Sequence, residues 1–433
     1  MVVNPLKWKL HWQIFAAILL AIAAGWATGE DGRTLGIHWY SVYDFVGRIF
    51  LNALKMLIVP LIVSSIIVGI AGIAKSGRLG MLGAKTVGFY LTTTLLAVLA
   101  GLVLVNIVDP GLSSDGRALG DELALTAETI DVRERVGEGS LSDLTELFVR
   151  IVPENIVASA ASLDMLGLIF FALLFGYFMA RAEHAYAETL YNFWEGVFQV
   201  MMSITNFVML FAPIGIFGLV AKVVASTGFD AAQPLLIFAA TVATALLFHL
   251  FITMSTILTL VGRVSPLATL RAMAPALLTA FSTASSMATL PLTLRCVREN
   301  VGVSDRTTSF VLPLGATVNM NGTALYECVA AMFIAQAYGL DLNFGIQFVI
   351  VVTALVTSIG VAGVPAASMV AIGIILTAIG LPLEALGVLF VFDRLLDMMR
   401  TAVNIYGDAV CAIVVARLEG ETGLFGESVD PHR

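Results

Sequence analysis

The sequence predicts an all-α polytopic membrane protein, and three observations predict it. Its 433 residues are 59% hydrophobic and 12% charged, where an ordinary soluble protein is about 25% charged. Nearly uncharged stretches recur at 12–28, 46–73, 87–108, 165–181, 198–221, 235–262 and 385–392, the last running on through 409–416; about 20 apolar residues span the hydrocarbon. None shows the alternation of a barrel strand, and lipid admits only helices and closed barrels.

The first stretch follows Lys7 and Lys9 and runs toward small residues at Ala24–Gly25. That imitates a secretory signal, but ahead of so many further spans it reads as an uncleaved first helix. Lys and Arg in short loops set orientation. Lys7, Lys9, Lys75, Arg78, Lys85, Arg181, Arg263 and Arg271 fall on one side, Arg33 and Lys222 on the other. The expectation is a multi-pass protein of the plasma (inner) membrane with both termini cytoplasmic. Segment 109–150 falls outside, with ten acidic and four basic residues; it holds most of the net charge of −8, so that charge implies no nucleic-acid partner. Cys296, Cys328 and Cys411 match no metal motif and lie in or beside apolar sequence. They read as small packing residues.

The second half differs in character. From 264 to 417 the apolar runs are interrupted by Ser, Thr, Gly, Pro and Asn. SSMATLP at 285–291 and SIGVAGVPAAS at 358–368 each place Ser, small residues and then Pro inside an apolar segment. Both are expected to be re-entrant helical hairpins, broken near their tips by Pro291 and Pro365. NMNGT at 319–323 is a third interruption. Non-helical backbone at membrane depth persists only when buried in protein or lining a wet cavity, and paired interrupted segments point to a transporter's binding site. Half-helix N-termini suit a carboxylate and unwound carbonyls suit a cation. The alternative is that small residues merely allow tight helix packing.

The last span, DRLLDMMRTAVNIYGDAV at 393–410, carries a polar stripe. At 100° per residue, Asp393, Asp397, Arg400, Thr401, Asn404 and Asp408 fall within an arc of about 100°. Each charge at mid-bilayer costs about 2.5–3.5 kcal/mol on insertion scales, so these groups need partners or water. One reading is a buried ion-pair network of Arg400 with Asp397 or Asp393. The other is a ligand pocket. In it Arg400 grips a carboxylate bidentately, Asp397 accepts from an ammonium group, Asn404 and Thr401 add hydrogen bonds, and Asp408 offers oxygen to a hard cation. Cationic and anionic recognition groups three residues apart describe an acidic amino acid. Arg394, at the edge of this face, either tunes Asp397 or snorkels to an interface.

SSMATLP, VNMNGTALYE, SIGVAGVPAAS and DMMRTAVNIYGD, in this order, closely resemble the dicarboxylate/amino acid:cation symporter family. That family includes the excitatory amino acid transporters and their archaeal aspartate-transporting relatives. The likeness covers nearly the whole chain and is strongest over 275–417; from VLPLGATVNM to IAQA it is closer to the animal members. It implies a secondary active symporter, not an enzyme, that takes up aspartate or glutamate with sodium and/or protons and with potassium as a possible counter-ion. It further implies a homotrimer of eight transmembrane helices plus two re-entrant hairpins with inverted repeats, working as an elevator. The organisation is then scaffold spans 1–2 (1–83), span 3 of the transport domain (84–108), the acidic external loop (109–150), scaffold spans 4–5 (151–232), span 6 (233–263), hairpin 1 (264–300), span 7 with the NMNGT break (301–342), hairpin 2 as gate (343–383), span 8 (384–418) and a cytoplasmic tail (419–433).

For the site, the resemblance implies that Arg400 binds the side-chain carboxylate, Asp397 the amino group and Asn404 the α-carboxylate. Thr323, Thr401, Ser286 and the backbone near Val364 assist. One sodium site would use Asp408 with carbonyls of Gly315, Asn319 and Asn404. A second would use carbonyls near Thr317, Ser358, Ile359 and Val361. A third would use Tyr90, Thr93, Thr94, Asn319 and Asn321. No organic cofactor is implied. Three positions depart from the pattern: Asn321 stands where relatives have Asp in NMDGT, Met287 replaces a serine of the hairpin tip, and the arginine that relatives place at the positions of Ala284 or Met398 is absent. An amide still offers oxygen, but the charge that offsets a buried cation is gone. Glu327 matches the glutamate of proton-carrying relatives; a buried carboxyl can load a proton near neutral pH, or it can be a permanently paired structural group.

Other classes fit less well. VYD at 42–44 and IYGD at 405–408 are fragments of a membrane aspartyl-protease pattern without its first glycine, and neither HExxH nor GxSxG occurs. Nothing resembles the repeated filter of a channel. Neutral amino acids and C4-dicarboxylates are the competing substrates; Arg400 argues against the first and Asp397 against the second.

Overall fold

The computed structural model describes residues 10–34, 36–75, 81–113, 115–120, 123, 125, 152–162, 165–228, 232–340, 342–360 and 367–426. Apart from a two-residue antiparallel pairing, Arg33–Thr34 (β1) with Ile37–His38 (β2), its regular elements are helical: Leu10–Thr28 (α1), Trp39–Lys75 (α2), Met81–Val108 (α3), Ile156–Ser162 (α4), Met165–Met179 (α5), His184–Leu210 (α6), Ala212–Thr227 (α7), Ala232–Gly262 (α8), Pro266–Thr283 (α9), Ser286–Arg295 (α10), Asp305–Val318 (α11), Asn321–Ala337 (α12), Phe344–Gly360 (α13), Ala367–Ala378 (α14) and Leu386–Leu418 (α15). Among the described residues five helices are long and apolar enough to cross a membrane, covering 39–72, 81–108, 184–210, 232–262 and 383–418. Shorter apolar helices lie at 12–28, 167–179, 212–227, 344–358 and 368–378.

Two expectations about breaks are corrected. The run 198–221 is not one continuous helix: α6 ends at Leu210, Phe211 caps it, and α7 begins at Ala212. Pro213, which has no N–H to give the preceding turn, sits in the first turn of the new helix, where none is needed. Nor does Pro291 break the first hairpin. It lies inside α10, and the break falls at Ala284, whose φ of +50° ends α9. Ser285 then caps α10 by accepting the Ala288 N–H at 3.2 Å, so the serine, with its local hydrogen bond, starts the second arm. Pro365 lies outside the described residues.

The expected interruption at NMNGT is present. α11 ends at Val318, Asn319 and Met320 have non-helical torsions, and α12 starts at Asn321. All 17 residues of α12 are buried, because protein surrounds it: α3, α8, α13, α14 and α15 pack on its sides. Such a helix must be apolar or internally paired all round. Of the 33 residues of α15, 22 are buried; α8, α9, α11 and α12 cover it. Elsewhere α1 and α2 pack on α7, and α5 and α6 on α2. The arms α13 and α14 pack together, and both also touch α2 and α5. The helix after the break and the middle of α15 thus lie inside, with Asn319 against Asp408 of α15.

Candidate binding site

The site forms where the start of α12 crosses α15. The crossing is close enough that a Cβ on Gly322 would lie 2.8 Å from the Arg400 carbonyl oxygen, and one on Gly407 would lie 2.7 Å from Asn321 Nδ2. Glycine at both positions lets the two backbones touch. Met320, the residue before α12, offers no side-chain cap. Asn404 of α15 supplies one instead: its Oδ1 accepts from the N–H of Gly322 at 2.8 Å and of Thr323 at 3.4 Å, and its Nδ2 donates to Thr323 Oγ1 at 3.1 Å. This capping role has no sequence signal, because 82 positions separate the partners.

Arg400 is 1% exposed. Its Nη2 donates to Asp393 Oδ1 and to Asp397 Oδ1, both at 3.0 Å, and its guanidinium carbon lies 3.9 Å from the centroid of the Tyr326 ring. The face of an aromatic ring attracts a cation. Nε and Nη1 have no hydrogen-bond partner among the described residues. Leaving such donors unmet costs about 1–3 kcal/mol each, more for a charged group. The ion-pair network read from the sequence therefore exists, yet it engages one guanidinium nitrogen and leaves two nitrogens, with three N–H groups, unmet among the described residues. Arg394 Nη1 reaches Asp397 Oδ2 at 3.3 Å, so this arginine acts on Asp397. Thr401 donates to the Asp397 carbonyl at 2.8 Å.

A second polar cluster lies one to two turns further along α15. Asp408, 3% exposed, accepts from Asn319 Nδ2 at 2.8 Å. A Cβ on Gly315 would collide with Asp408 Oδ1 and lie 2.8 Å from the Tyr90 hydroxyl. Tyr90 donates to the Val311 carbonyl at 2.7 Å, and Thr94 donates to Asn321 Oδ1 at 2.8 Å. Thr93 donates to its own helix, to the Phe89 carbonyl at 2.9 Å. Asn319 Oδ1 and Asn321 Nδ2 are buried without partners among the described residues. The first is an acceptor a cation can use; the second is a donor it cannot. The structure thus brings Gly315, Asn319, Asn321, Tyr90, Thr94 and Asp408 together.

The remaining expected residues are placed as follows. Thr317 donates to the Leu314 carbonyl at 2.9 Å, and Ser358, 1% exposed, donates to Leu355 at 2.9 Å. Ile359 lies near the end of α13. Ser286 opens α10 and is buried, on an arm that packs against α15. Val361 and Val364 lie outside the described residues. Glu327 is wholly buried on α12 and accepts from Thr357 Oγ1 of α13 at 2.8 Å. Where the sequence offers Asp397 or Asp393 as the partner of Arg400, the structure engages both. Sequence reading missed two participants, Tyr326 and Thr357. Only the position of Tyr326 inside VNMNGTALYE hinted at one of them.

The pattern of the sodium:dicarboxylate symporter family matches residues 10–418. The chain belongs to the sodium:dicarboxylate symporter family. As a member of that family it is a multi-pass membrane protein. Among its relatives it is 35% identical over 415 residues to the proton/glutamate-aspartate symporter of Escherichia coli K12, covering 96% of this chain and 94% of that one. It is 34% identical to the proton/sodium-glutamate symport protein of Geobacillus stearothermophilus, covering 96% of each. It is 34% identical over 463 residues to human excitatory amino acid transporter 3, covering 95% of this chain and 86% of the human one.

Proposed function

We propose that this family member is a cation-coupled symporter for aspartate and glutamate. The observation that carries this reading is Arg400: a buried guanidinium with two nitrogens unmet among the described residues, held by Asp393 and Asp397 and lying over Tyr326. The names of the relatives, glutamate and aspartate symporters, support the same substrate. In this account Nε and Nη1 take the side-chain carboxylate as a bidentate pair. Asp397 takes the amino group, released from Arg400 as the substrate carboxylate replaces it. Asn404, Thr401, Thr323, Ser286 and the backbone near Val364 complete the pocket.

Coupling ions enter next to it. Asp408, with the carbonyls of Gly315, Asn319 and Asn404, holds one sodium; carbonyls near Thr317, Ser358, Ile359 and Val361 hold a second. The group Tyr90, Thr93, Thr94, Asn319 and Asn321 lacks its own carboxylate and is the weakest cation site of the three. Glu327 is the proton carrier, and potassium return is the further option. The architecture proposed around these sites is eight spans and two re-entrant hairpins, α9/α10 and α13/α14, in a homotrimer of the inner membrane with both termini cytoplasmic. Within each protomer, spans 3, 6, 7 and 8 move with the hairpins as an elevator against spans 1, 2, 4 and 5, and the second hairpin is the gate.

Binding to the purified protein tests the pocket. Aspartate and glutamate should raise its melting temperature in sodium, and succinate and alanine should compete weakly. Arg400→Gln should remove the response to both acidic amino acids; an unchanged response to aspartate would take Arg400 out of its assigned role.

A further inference from the structure

Among the described residues, Glu327 is hydrogen-bonded to the second hairpin through one side chain, Thr357. Glu327 Oε2 accepts from Thr357 Oγ1 at 2.8 Å, and the same hydroxyl lies 2.8 Å from the Thr353 carbonyl of its own helix. Glu327 and Thr357 are both 0% exposed, so no bulk water substitutes for either contact. A threonine hydroxyl has one hydrogen and two acceptor lone pairs; it donates to the carboxylate or to the carbonyl, not to both.

The geometry points to Thr357 as a positioning residue whose hydroxyl reverses its hydrogen bond when Glu327 gains or loses a proton. With Glu327 ionised, Oγ1–H points at Oε2 in a charge-assisted bond, and the Thr353 carbonyl keeps only its helical N–H. With the proton on Oε2, that O–H donates to Oγ1, and the threonine hydrogen turns to the Thr353 carbonyl. The proton count balances: one hydrogen is added on Oε2 and none leaves the threonine. The event at Glu327 in α12 thereby changes the hydrogen bonding of α13, the first arm of the hairpin we assign as gate. Thr353 lies one turn earlier on the same face of α13; its buried hydroxyl and Glu327 Oε1 have no hydrogen-bond partner among the described residues. The contact surface thus holds further polar atoms for a rearranged state.

The surroundings leave few rivals for this role. Of the helices packed on α12, α13 and α14 carry no ionisable side chain. α3 carries Lys85 and Tyr90, α8 carries His249, and α15 carries the charged stripe together with Tyr406, Cys411 and Arg417. On α12 itself Tyr326 and Cys328 flank Glu327. Arg400 is the charged group that bears on Glu327, but it lies on α15 and, among the described residues, its hydrogen bonds go to Asp393 and Asp397.

This inference rests on Glu327 being the proton carrier, and the test separates the two. Uptake of labelled aspartate into proteoliposomes is measured from acid to alkaline pH for the unaltered protein, Glu327→Gln, Thr357→Val, Thr357→Ala and Thr357→Ser, each checked for monodispersity. Glu327→Gln should flatten the pH profile. Thr357→Val and Thr357→Ala deprive the ionised carboxylate of its donor, so the pH of half-maximal uptake should move toward alkali by about one unit, with little change in KM for aspartate. Thr357→Ser should restore the original midpoint. A flat Glu327→Gln profile with unmoved midpoints for both Val and Ala variants overturns the role of Thr357 and leaves the carrier intact. An unchanged profile for Glu327→Gln overturns both. A general loss of uptake in Val, Ala and Ser alike, with no recovery by serine, marks Thr357 as structural and also overturns the proposal.

Discussion

Arg400 shows how one residue can be both a structural and a binding group. Its two carboxylate partners keep the charge neutralised inside the fold, and the donors left over define what else it can hold. Removing one partner of a buried pair costs about 3–5 kcal/mol, because the other charge remains. Arg400→Gln should therefore lower the melting temperature as well as abolish acidic-substrate uptake, and Asp393→Asn with Arg400→Gln should recover part of the stability without recovering uptake. Differential scanning fluorimetry and uptake on the same preparations check both halves. Asn321 makes an opposite forecast. Asn321→Asp places a second carboxylate near Asp408, so the variant should melt lower without sodium. It should regain stability as sodium is added, by about 2.7 kcal/mol at a hundredfold excess over the dissociation constant, and its uptake should depend more steeply on sodium. A sodium titration of melting temperature and of uptake decides this. Asp393 was legible as a partner of Arg400 from their shared face of one helix, whereas the Asn404 cap was not, since it depends on which side chains meet across a crossing.

At the scale of elements, the crossing of α12 and α15 is set by close approach. Gly322→Ala puts a methyl group against the Arg400 backbone; overpacking of this kind costs about 1–3 kcal/mol, and a lower melting temperature with weakened aspartate binding should follow. The end of α15 is held by a second device. Glu421, beyond the span, accepts from the Ser304 N–H at 2.9 Å, from the Ser304 hydroxyl at 2.6 Å and from the Thr307 hydroxyl, at the first turn of α11. Lys85 of α3 donates to the Leu418 carbonyl and to Glu419, both at 2.7 Å. The tail expected at 419–433 is thus tied, through residue 426, to the ends of α3 and α11. Burial alone would push the Glu421 carboxyl up, but the donors of Ser304 and Thr307 outweigh it and hold Glu421 below its usual value. A carboxyl lowered by folding adds stability that is present above its unfolded value, about 4.3, and is lost as pH falls through the folded one. The clasp should hold at neutral pH and open only in acid, whereas Glu421→Gln should loosen it at every pH; hydrogen exchange at 304–308 reports either result. The element types were legible because apolar length and small-residue interruptions are local signals. The breaks at 211 and 284 were not, because a proline marks the neighbourhood of a break while caps and left-handed torsions fix its residue.

At the scale of the whole molecule, burial separates the two halves that composition had already distinguished. The segment 383–418 and the helix after the NMNGT break lie inside other helices, so their polarity faces protein and not lipid, and polar groups in that setting are bound to each other or to a ligand. The motifs VNMNGTALYE and DMMRTAVNIYGD were legible because they put polar residues on these two elements of an otherwise apolar chain. The coupling ion was not legible, since Asn321 and Glu327 argue in different directions and each acts through neighbours on other helices. The central claim is cation-driven transport of an acidic amino acid, and one measurement meets it directly: accumulation of labelled aspartate in proteoliposomes under imposed sodium, proton and potassium gradients, one at a time and combined. The account predicts uptake against the aspartate gradient when sodium, or sodium with protons, runs inward, and none without a cation gradient. Equilibration of aspartate with no accumulation under any gradient, or accumulation that glutamate and aspartate both fail to compete for, would contradict it.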